Sequence, residues 1–482
     1  MEFLLDAADA AVVEGGTEPQ RPDFTIPEEL ASVPTHDYLE LIDDDTGKKG
    51  KGWRARRDLP AGTLLMIAKP IAMVMDWEDD SAEDVQQQRQ PEEDNMEEDT
   101  ENEEQEPRMN ELLLLALLAR ILTDPSIWTD QLTNLFPRSE NLNSLPAWVC
   151  LNDAVFCEVE AFIQQIEKLP ALASQAKEIS KRLPLIIRYN VLSIETCSEL
   201  LSYPGPKGHS LLSGVGLFHL PSFFNHSSRP NCNRWAVGDI IGFVTNQEIS
   251  AGMEVCISYI EHDVLCESAF RRNELLGMDF DDTAEHEKGI PPHPTEEQGP
   301  DMPVVDSDVQ NELMSMDAFE RLAAIDELMQ QAVGAKLPEE SNPEGDHGGH
   351  DSGLPPSTIA PTWFQCDVQN LRIIKAITLD SMGQSKAALD LWEEAVTFCE
   401  TRLPPCDESS VVVHVQAALC AQHMGEEARA KEHAAKALQT HHILFGGGVS
   451  LFRRRFRHDL ELKIRPSDME GAAVELLWPF SS

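Results

Sequence analysis

No two of the ten cysteines stand in C-x-C or C-x-x-C spacing, so the close ligand pairs of a structural zinc finger are missing. Tyrosine is scarce, with four in 482 residues: Tyr38, Tyr189, Tyr203 and Tyr259. Basic residues are outnumbered, 38 Lys and Arg against 84 Asp and Glu, for a formal net charge of -46. That balance argues against a phosphate-binding surface, because affinity for nucleic acid comes from Lys and Arg. It suits a basic partner, and it also keeps loop segments solvated. The longest apolar run, Leu112 to Leu122, is too short to span a bilayer, and the opening "MEFLLDAADA" does not form a secretory leader. The expectation is a soluble, intracellular protein of cytoplasm or nucleus with reduced thiols, no metal site, no membrane contact and no direct nucleic-acid binding.

What is present divides the chain. Residues 1–37 are acidic and without sustained period, which predicts a mobile tail. "GKGWRARRDLPAGTLLMIAKPIAMVM" then alternates as strands around a turn at "LPAG" (59–62). Residues 76–108 are too acidic to bury a core and predict a disordered insertion. Helical periodicity follows over 110–182, and short β-like segments return from Leu185 to Tyr259. A linker over 281–365 carries one predicted amphipathic helix near 310–333. The region 366–464 is helical and repeats: "MGQSKAA" begins at Met382 and "MGEEARA" at Met424, 42 residues apart. A Met-Gly turn followed by a small residue on the next helix is the pattern of helical hairpins that pack closely. Residues 465–482 form a C-terminal tail. The basic and aromatic segment "LFRRRFRHDL" (451–460) could contact RNA or an acidic partner, but in so acidic a chain it reads first as the polar face of the last helix. His441 and His442, adjacent on a helix and about 100° apart, are poor joint metal ligands.

The chemistry-bearing segments are ordered: "GKGW" (50–53), "RYN" ending at Asn190, "GVGLF" (214–218), "FFNHSSRPN" (223–231), "SAGMEVCISY" (250–259) and "LLGMDF" (275–280). In this order they resemble the SET-domain protein-lysine methyltransferases, and most nearly the SMYD-type subfamily with its C-terminal tetratricopeptide-like helices. The resemblance covers 38–76, 110–280 and, loosely, 366–464. It implies an α+β fold: a β-rich SET core (β-clip) at 38–280 with an inserted helical region, followed by an all-α TPR-like repeat domain.

The same resemblance implies S-adenosyl-L-methionine as cofactor. Gly50, Lys51, Gly52 and Trp53 would lie along it, Asn190 and Asn225 would hold its amino-acid end, and the backbone at His226 would meet its adenine. Tyr259 would be catalytic, with Phe280, Met278 and Phe218 lining the substrate site. Lysine near its reference pKa of about 10.4 is a protonated non-nucleophile, so a narrow apolar channel is needed to strip its charge. Four departures stand out. Ser228 replaces the family's Cys, and Met278 stands where a channel tyrosine is usual. "DDTAEHEK" after Phe280 replaces a zinc-binding Cys cluster, and 76–108 replaces the subfamily's zinc finger.

The implied function is methyl transfer to a lysine of a protein substrate, a histone or another basic protein, with a peptide partner in the helical-repeat groove. Two alternatives stand beside it. One is a catalytically weak or inactive SET/TPR protein serving as a binding scaffold. The other is a plant-type SET enzyme acting on non-histone proteins, which a C-terminal region without such hairpins would favour.

Overall fold

The computed structural model describes residues 35–43, 50–75, 109–139, 142, 153–197, 211–267, 269–276, 305, 307–334, 364–446 and 448–456. The calls on 1–34, 76–108, most of the linker and 457–482 lie outside the described residues, as do Met278 and Phe280.

Four small sheets form the N-terminal half. β1 (Leu39–Asp43) pairs antiparallel with β2 (Lys51–Ala55). β3 (Leu64–Ala68), β9 (Ile240–Thr245) and β8 (Cys232–Val237) make a second, in the order β3-β9-β8. β4 (Ala72–Met75), β6 (Leu211–Leu217) and β5 (Val191–Cys197) make a third, in the order β4-β6-β5. β7 (Asn225–His226) and β10 (Cys256–Ile257) are a short parallel pair. The "LPAG" turn forms where the sequence puts it, with Gly62 at φ +82° in the left-handed region. Within the second sheet Trp235 lies opposite Gly242, and a Cβ at Gly242 would come 2.3 Å from the indole, so the pair admits no side chain there.

Between β4 and β5 lie α1 (Met109–Thr123), α2 (Asp153–Ile166) and α3 (Ala176–Asn190). α1 buries Leu113, Leu114, Leu117, Leu118 and Ile121, one face at helical spacing, in the core that also holds Trp53, Phe218 and Phe224. Arg182 is buried on α3, donating to the carbonyls of Pro137, Thr133 and Leu135 and to Glu178, which offsets the cost of its burial. The helix does not stop near Arg182; it continues through Pro184 to Asn190, so the strands begin at Val191 rather than Leu185. No single helix among the described residues is long and apolar enough to cross a membrane.

After α4 (Ala269–Leu276), the linker carries two helices where one is expected: α5 (Ser307–Ser315) and α6 (Ala318–Gly334). Asp317 causes the break, its carboxylate accepting from the backbone N–H of Phe319 and Glu320 as an N-cap. The C-terminal half is α7 (Gln365–Ser381), α8 (Ser385–Arg402), α9 (Glu408–His423), α10 (Glu427–Phe445) and α11 (Gly448–Arg455). The two Met-Gly turns are equivalent. Gly383 and Gly425 have φ +76° and +75°, and the next N–H, of Gln384 or Glu426, closes on Leu379 O or Ala421 O at 2.9 Å in each case. Ala388, six residues past the first Met, is fully buried between helices. The segment after Ser450 differs from expectation: Leu451, Phe452 and Phe456 are core residues, and Arg455 pairs with Glu408 and lies over the Phe445 ring. The arginines misled, because only one side of this helix is polar.

These helices dock on the outer face of the second sheet. Ile67, Trp235, Val237, Ile240 and Val244 form one cluster with Val411, Val415, Leu444, Phe445 and Phe452. Polar pins surround it: Asn233 Nδ2 donates to Cys406 O at 3.1 Å, and His262 Nδ1 meets Asp407 Oδ2 at 2.6 Å. Asp407 also caps α9 by accepting from Ser409 N–H. Burial would raise its pKa, but the His262 and Ser409 contacts win and hold it below the usual carboxylate range.

Candidate functional site

The site is built around the loop 218–231 and the segment 254–260. β7 aligns Asn225 with Cys256 and His226 with Ile257, and Ser227 N–H extends the pairing to Ile257 O at 2.9 Å. Asn231 locks the crossing from below: its Nδ2 donates to Glu254 O and its Oδ1 accepts from Cys256 N–H, both at 2.9 Å. Asn246 adds bonds to Pro230 O and Asn233 Oδ1. The polar residues of "NHSSRPN" therefore satisfy a buried crossing of two backbones, as peptide groups away from water require. Phe223 and Phe224 seat the loop in the core, where Phe224 stacks on Phe243 with centroids 4.4 Å apart.

Tyr259 leaves the end of β10 directly beside that crossing. Its N–H donates to His226 Nδ1 at 3.0 Å, and its hydroxyl donates to Phe224 O at 2.8 Å. Packing pushes the phenol above its ordinary range, the neighbouring Cys256 and Glu254 adding to the effect and Arg234 opposing it. Tyr259 is thus a protonated donor held in place from both ends. It lines a cavity of about 190 Å³ with Asn190, Leu192, Phe224, Arg234 and Leu276.

The residues expected along a cofactor fall into two sets. Gly52 lies against Asn225: a Cβ there would be 2.6 Å from Asn225 Nδ2 and 2.9 Å from Glu254 Oε1. Asn225 Nδ2 donates to Glu254 Oε1 at 2.7 Å, while its Oδ1 makes no bond with the described residues. Gly50 has φ +74°, and no atom of the described residues lies within 4 Å of where a Cβ would stand. The Lys51 ammonium lies 5.7 Å above the Phe223 ring, and burial followed by that ammonium lowers the pKa of nearby His219. Trp53 is buried, its indole N–H donating to Leu220 O, so it braces the loop from inside the core. Asn190 gives both amide hydrogens to backbone carbonyls, those of Phe136 and Ile186, and only its remaining surface meets the cavity. Phe218, expected at the substrate, is fully buried and is absent from the cavity wall.

Two residues at the site were not singled out in the sequence. Glu254, inside the "GMEVCISY" stretch, organises Asn225. Arg234, on β8, reaches the cavity and donates to Ser193 O and Oγ. Strand alternation from the buried Trp235 is the signal that would have turned Arg234 to the opposite face.

The family model described as "SET domain" matches residues 50–260. No curated protein matches the chain. Among solved structures, the SET domain of LSMT bound to lysine and AdoHcy matches at 11% identity, covering 99% of this chain and 98% of that one, with a TM-score of 0.22. Rubisco LSMT bound to AdoMet matches at 12% identity, covering 91% and 95%, with a TM-score of 0.21. The LSMT SET domain bound to methyllysine and AdoHcy matches at 12%, covering 91% and 94%, also at 0.21. Overlap at that level leaves the assignment to the family model and to the motifs it spans. The crossed loop, the segment that ends at Tyr259 and the helices inserted between β4 and β5 all fall within residues 50–260, the stretch that matches the SET-domain model.

Proposed function

We propose that the chain transfers a methyl group from S-adenosylmethionine to the side-chain amine of a lysine in a protein. The observation that carries this reading is the placement of Tyr259: a hydroxyl bonded to Phe224 O, on the wall of a small cavity, beside the paired Asn225–His226 loop. The cavity, about 190 Å³, is smaller than the roughly 300–1,000 Å³ of sites for drug-sized ligands. It suits one extended side chain.

S-adenosylmethionine would supply an electrophilic methyl on a sulfonium. The residues on the other side of Tyr259 fit its amino-acid end. Among the described residues the Asn225 Oδ1 is an unspent acceptor, the Glu254 carboxylate stands behind it, and none comes within 4 Å of a Cβ placed on Gly50. In the reaction a bond forms between nitrogen and the methyl carbon, the carbon–sulfur bond breaks, and a proton goes to water. The protein's part is to desolvate and aim the amine. Leu192, Phe224, Ile260 and Leu276 furnish apolar wall, which favours the neutral nucleophile. The Tyr259 hydroxyl and the Phe224 carbonyl are fixed dipoles that need no reorganisation as charge disperses. Basic substrates suit a chain of net charge -46, and the paired hairpins α7–α10 offer a helical-repeat surface for a peptide, as in the SMYD-type arrangement.

A second reading, a binding module without turnover, draws support from Arg234, whose cation in the cavity wall opposes entry of an ammonium. Two measurements on the full chain separate them. An enzyme gives a thermal shift with S-adenosylmethionine and its demethylated product, and transfers labelled methyl to lysine in a cell lysate. Absence of both at millimolar cofactor refutes methyl transfer.

A further inference from the structure

The chain beyond Tyr259 is not held by a sheet. β10 ends at Ile257, and among the described residues no strand pairing follows it. Yet Tyr259, Ile260, Leu275 and Leu276 all line the cavity, so this stretch is one of its walls. Its far side is tied to the helical half. His262 Nδ1 meets Asp407 Oδ2 at 2.6 Å, Glu267 Oε1 accepts from Cys366 N–H at 2.9 Å, and the Arg271 guanidinium lies 5.0 Å from the Phe364 ring. The His262 tie is the nearest to the cavity, two residues past Ile260. Asp407 sits on a corner that fixes its position. Pro404 and Pro405 stiffen the approach, and Cys406 is the one described non-glycine residue in the left-handed region, at φ +53°. That conformation is strained and persists only where its surroundings impose it. Here Cys406 O accepts from Asn233 Nδ2, Asn233 Oδ1 accepts from Asn246 Nδ2 at 2.7 Å, and the same amide donates to Pro230 O. The corner thus grips the loop 218–231 through Asn233 and the wall through His262.

We infer that Asp407, acting through His262, is a positioning residue for the acceptor side of the Tyr259 cavity: the helical half sets Ile260 against Tyr259 and so aims the entering lysine. The inference rests on the methyl-transfer reading for its chemistry. Burial works against the charge of Asp407, but the His262 and Ser409 contacts outweigh it, so the carboxylate accepts and His262 Nδ1 carries the proton. The residues proposed for the cofactor, Asn225 with Glu254 and Gly50, have bonds of their own and do not use this tie. Loosening it should therefore slow transfer without weakening the cofactor, since a small misplacement of a reacting group is enough to cost rate.

The test uses the full chain and four variants. Asp407→Ser keeps a good helix cap but is too short to reach His262. His262→Ala cuts the tie from the other side, and the double variant cuts it twice. His262→Asn keeps a donor where Nδ1 stands. Two quantities are read: the initial rate of labelled-methyl transfer into a fixed amount of cell lysate at saturating S-adenosylmethionine, and the Kd of S-adenosylmethionine by titration calorimetry. Asp407→Ser and His262→Ala should each lower the rate about 10-fold or more. The double variant should be no slower than the singles, because one interaction is lost only once. His262→Asn should keep at least half the rate, and the Kd should stay within about 2-fold throughout. A smaller loss in either single, losses that multiply in the double, no rescue by asparagine, or a Kd that weakens in step with the rate overturns the positioning role and leaves methyl transfer standing. A wild-type protein that neither binds S-adenosylmethionine nor transfers methyl sinks methyl transfer instead. Hydrogen exchange then decides the tie: Asp407→Ser should speed exchange of the amides of 259–265 about 10-fold while β5 and β6 keep theirs, and unchanged exchange at 259–265 overturns it. Should Asp407→Ser not fold, the His262 variants carry the same decision from the half-exposed side of the pair.

Discussion

His441 offers a direct test of how the C-terminal helices are held. It is fully buried, ringed by Phe445, Phe452 and Phe456, and among the described residues neither ring nitrogen has a hydrogen-bond partner. Burial, then the charges of Arg455 and His442, lower its pKa to about 2. The folded-state value is depressed, so the unfolded chain binds the proton first, and stability falls as pH drops below the unfolded value of about 6.5. The loss is RT ln(1 + 10^(6.5 − pH)), about 0.1 kcal/mol at pH 7.5 and about 2 kcal/mol at pH 5. Because the folded pKa lies far below this window, the folded-state correction is negligible. His414, lowered to about 4 by burial and by His433, adds a similar loss of about 2 kcal/mol at pH 5. Wild-type protein should therefore lose about 4 kcal/mol from these two groups between pH 7.5 and 5, and His441→Phe about 2 kcal/mol. Urea unfolding at both pH values, followed by far-UV circular dichroism, reads the difference. A His441→Phe protein that loses as much stability as wild type over this interval would refute the account of a neutral histidine locked among aromatic rings.

Other expectations follow from the same geometry. Tyr259→Phe should abolish measurable methyl transfer while keeping the thermal shift with S-adenosylmethionine, and should cost about 1 kcal/mol of stability through the lost bond to Phe224 O; near-normal turnover removes the hydroxyl from the chemistry. Gly52→Ala should weaken cofactor binding about 10-fold or more by driving the Asn225 amide off Glu254, read by titration calorimetry. Gly242→Ala pushes a methyl into the Trp235 indole and should cost about 1–3 kcal/mol in urea unfolding. Asp407→Ala removes a helix cap and the contact to His262, for a loss of about 2 kcal/mol, whereas a cost near zero would mean that neither pin matters.

The loop at 223–231 and the segment at 250–259 were legible because their polar residues make bonds across one crossing, and such bonds need fixed residue types at fixed spacing. The Met-Gly turns were legible for the same local reason, since each needs a left-handed residue. Features set by tertiary contacts were not. Pro184 reads as a helix breaker, yet α3 runs through it, packed by Leu183, Ile186 and Ile187. Asp317 looks like a surface acid within one helix but is a cap that splits it. The arginines of 451–460 drew attention from Phe452 and Phe456, which only the docked sheet makes into core. Phe218 was placed at the substrate from its neighbours in sequence, although the side chain points into the hydrophobic interior.

Strand β8 has two employments. Its odd-numbered residues, Asn233, Trp235 and Val237, meet the C-terminal helices, while Arg234 turns to the cavity. Cutting the chain after residue 280 to isolate the N-terminal half would bare Ile67, Trp235, Val237, Ile240 and Val244 as one oily plate. Such a fragment should precipitate or self-associate, and the wall that holds Arg234 would lose its backing. The helical half is in this sense a structural subunit of the N-terminal one, and recombinant dissection has to keep the two together.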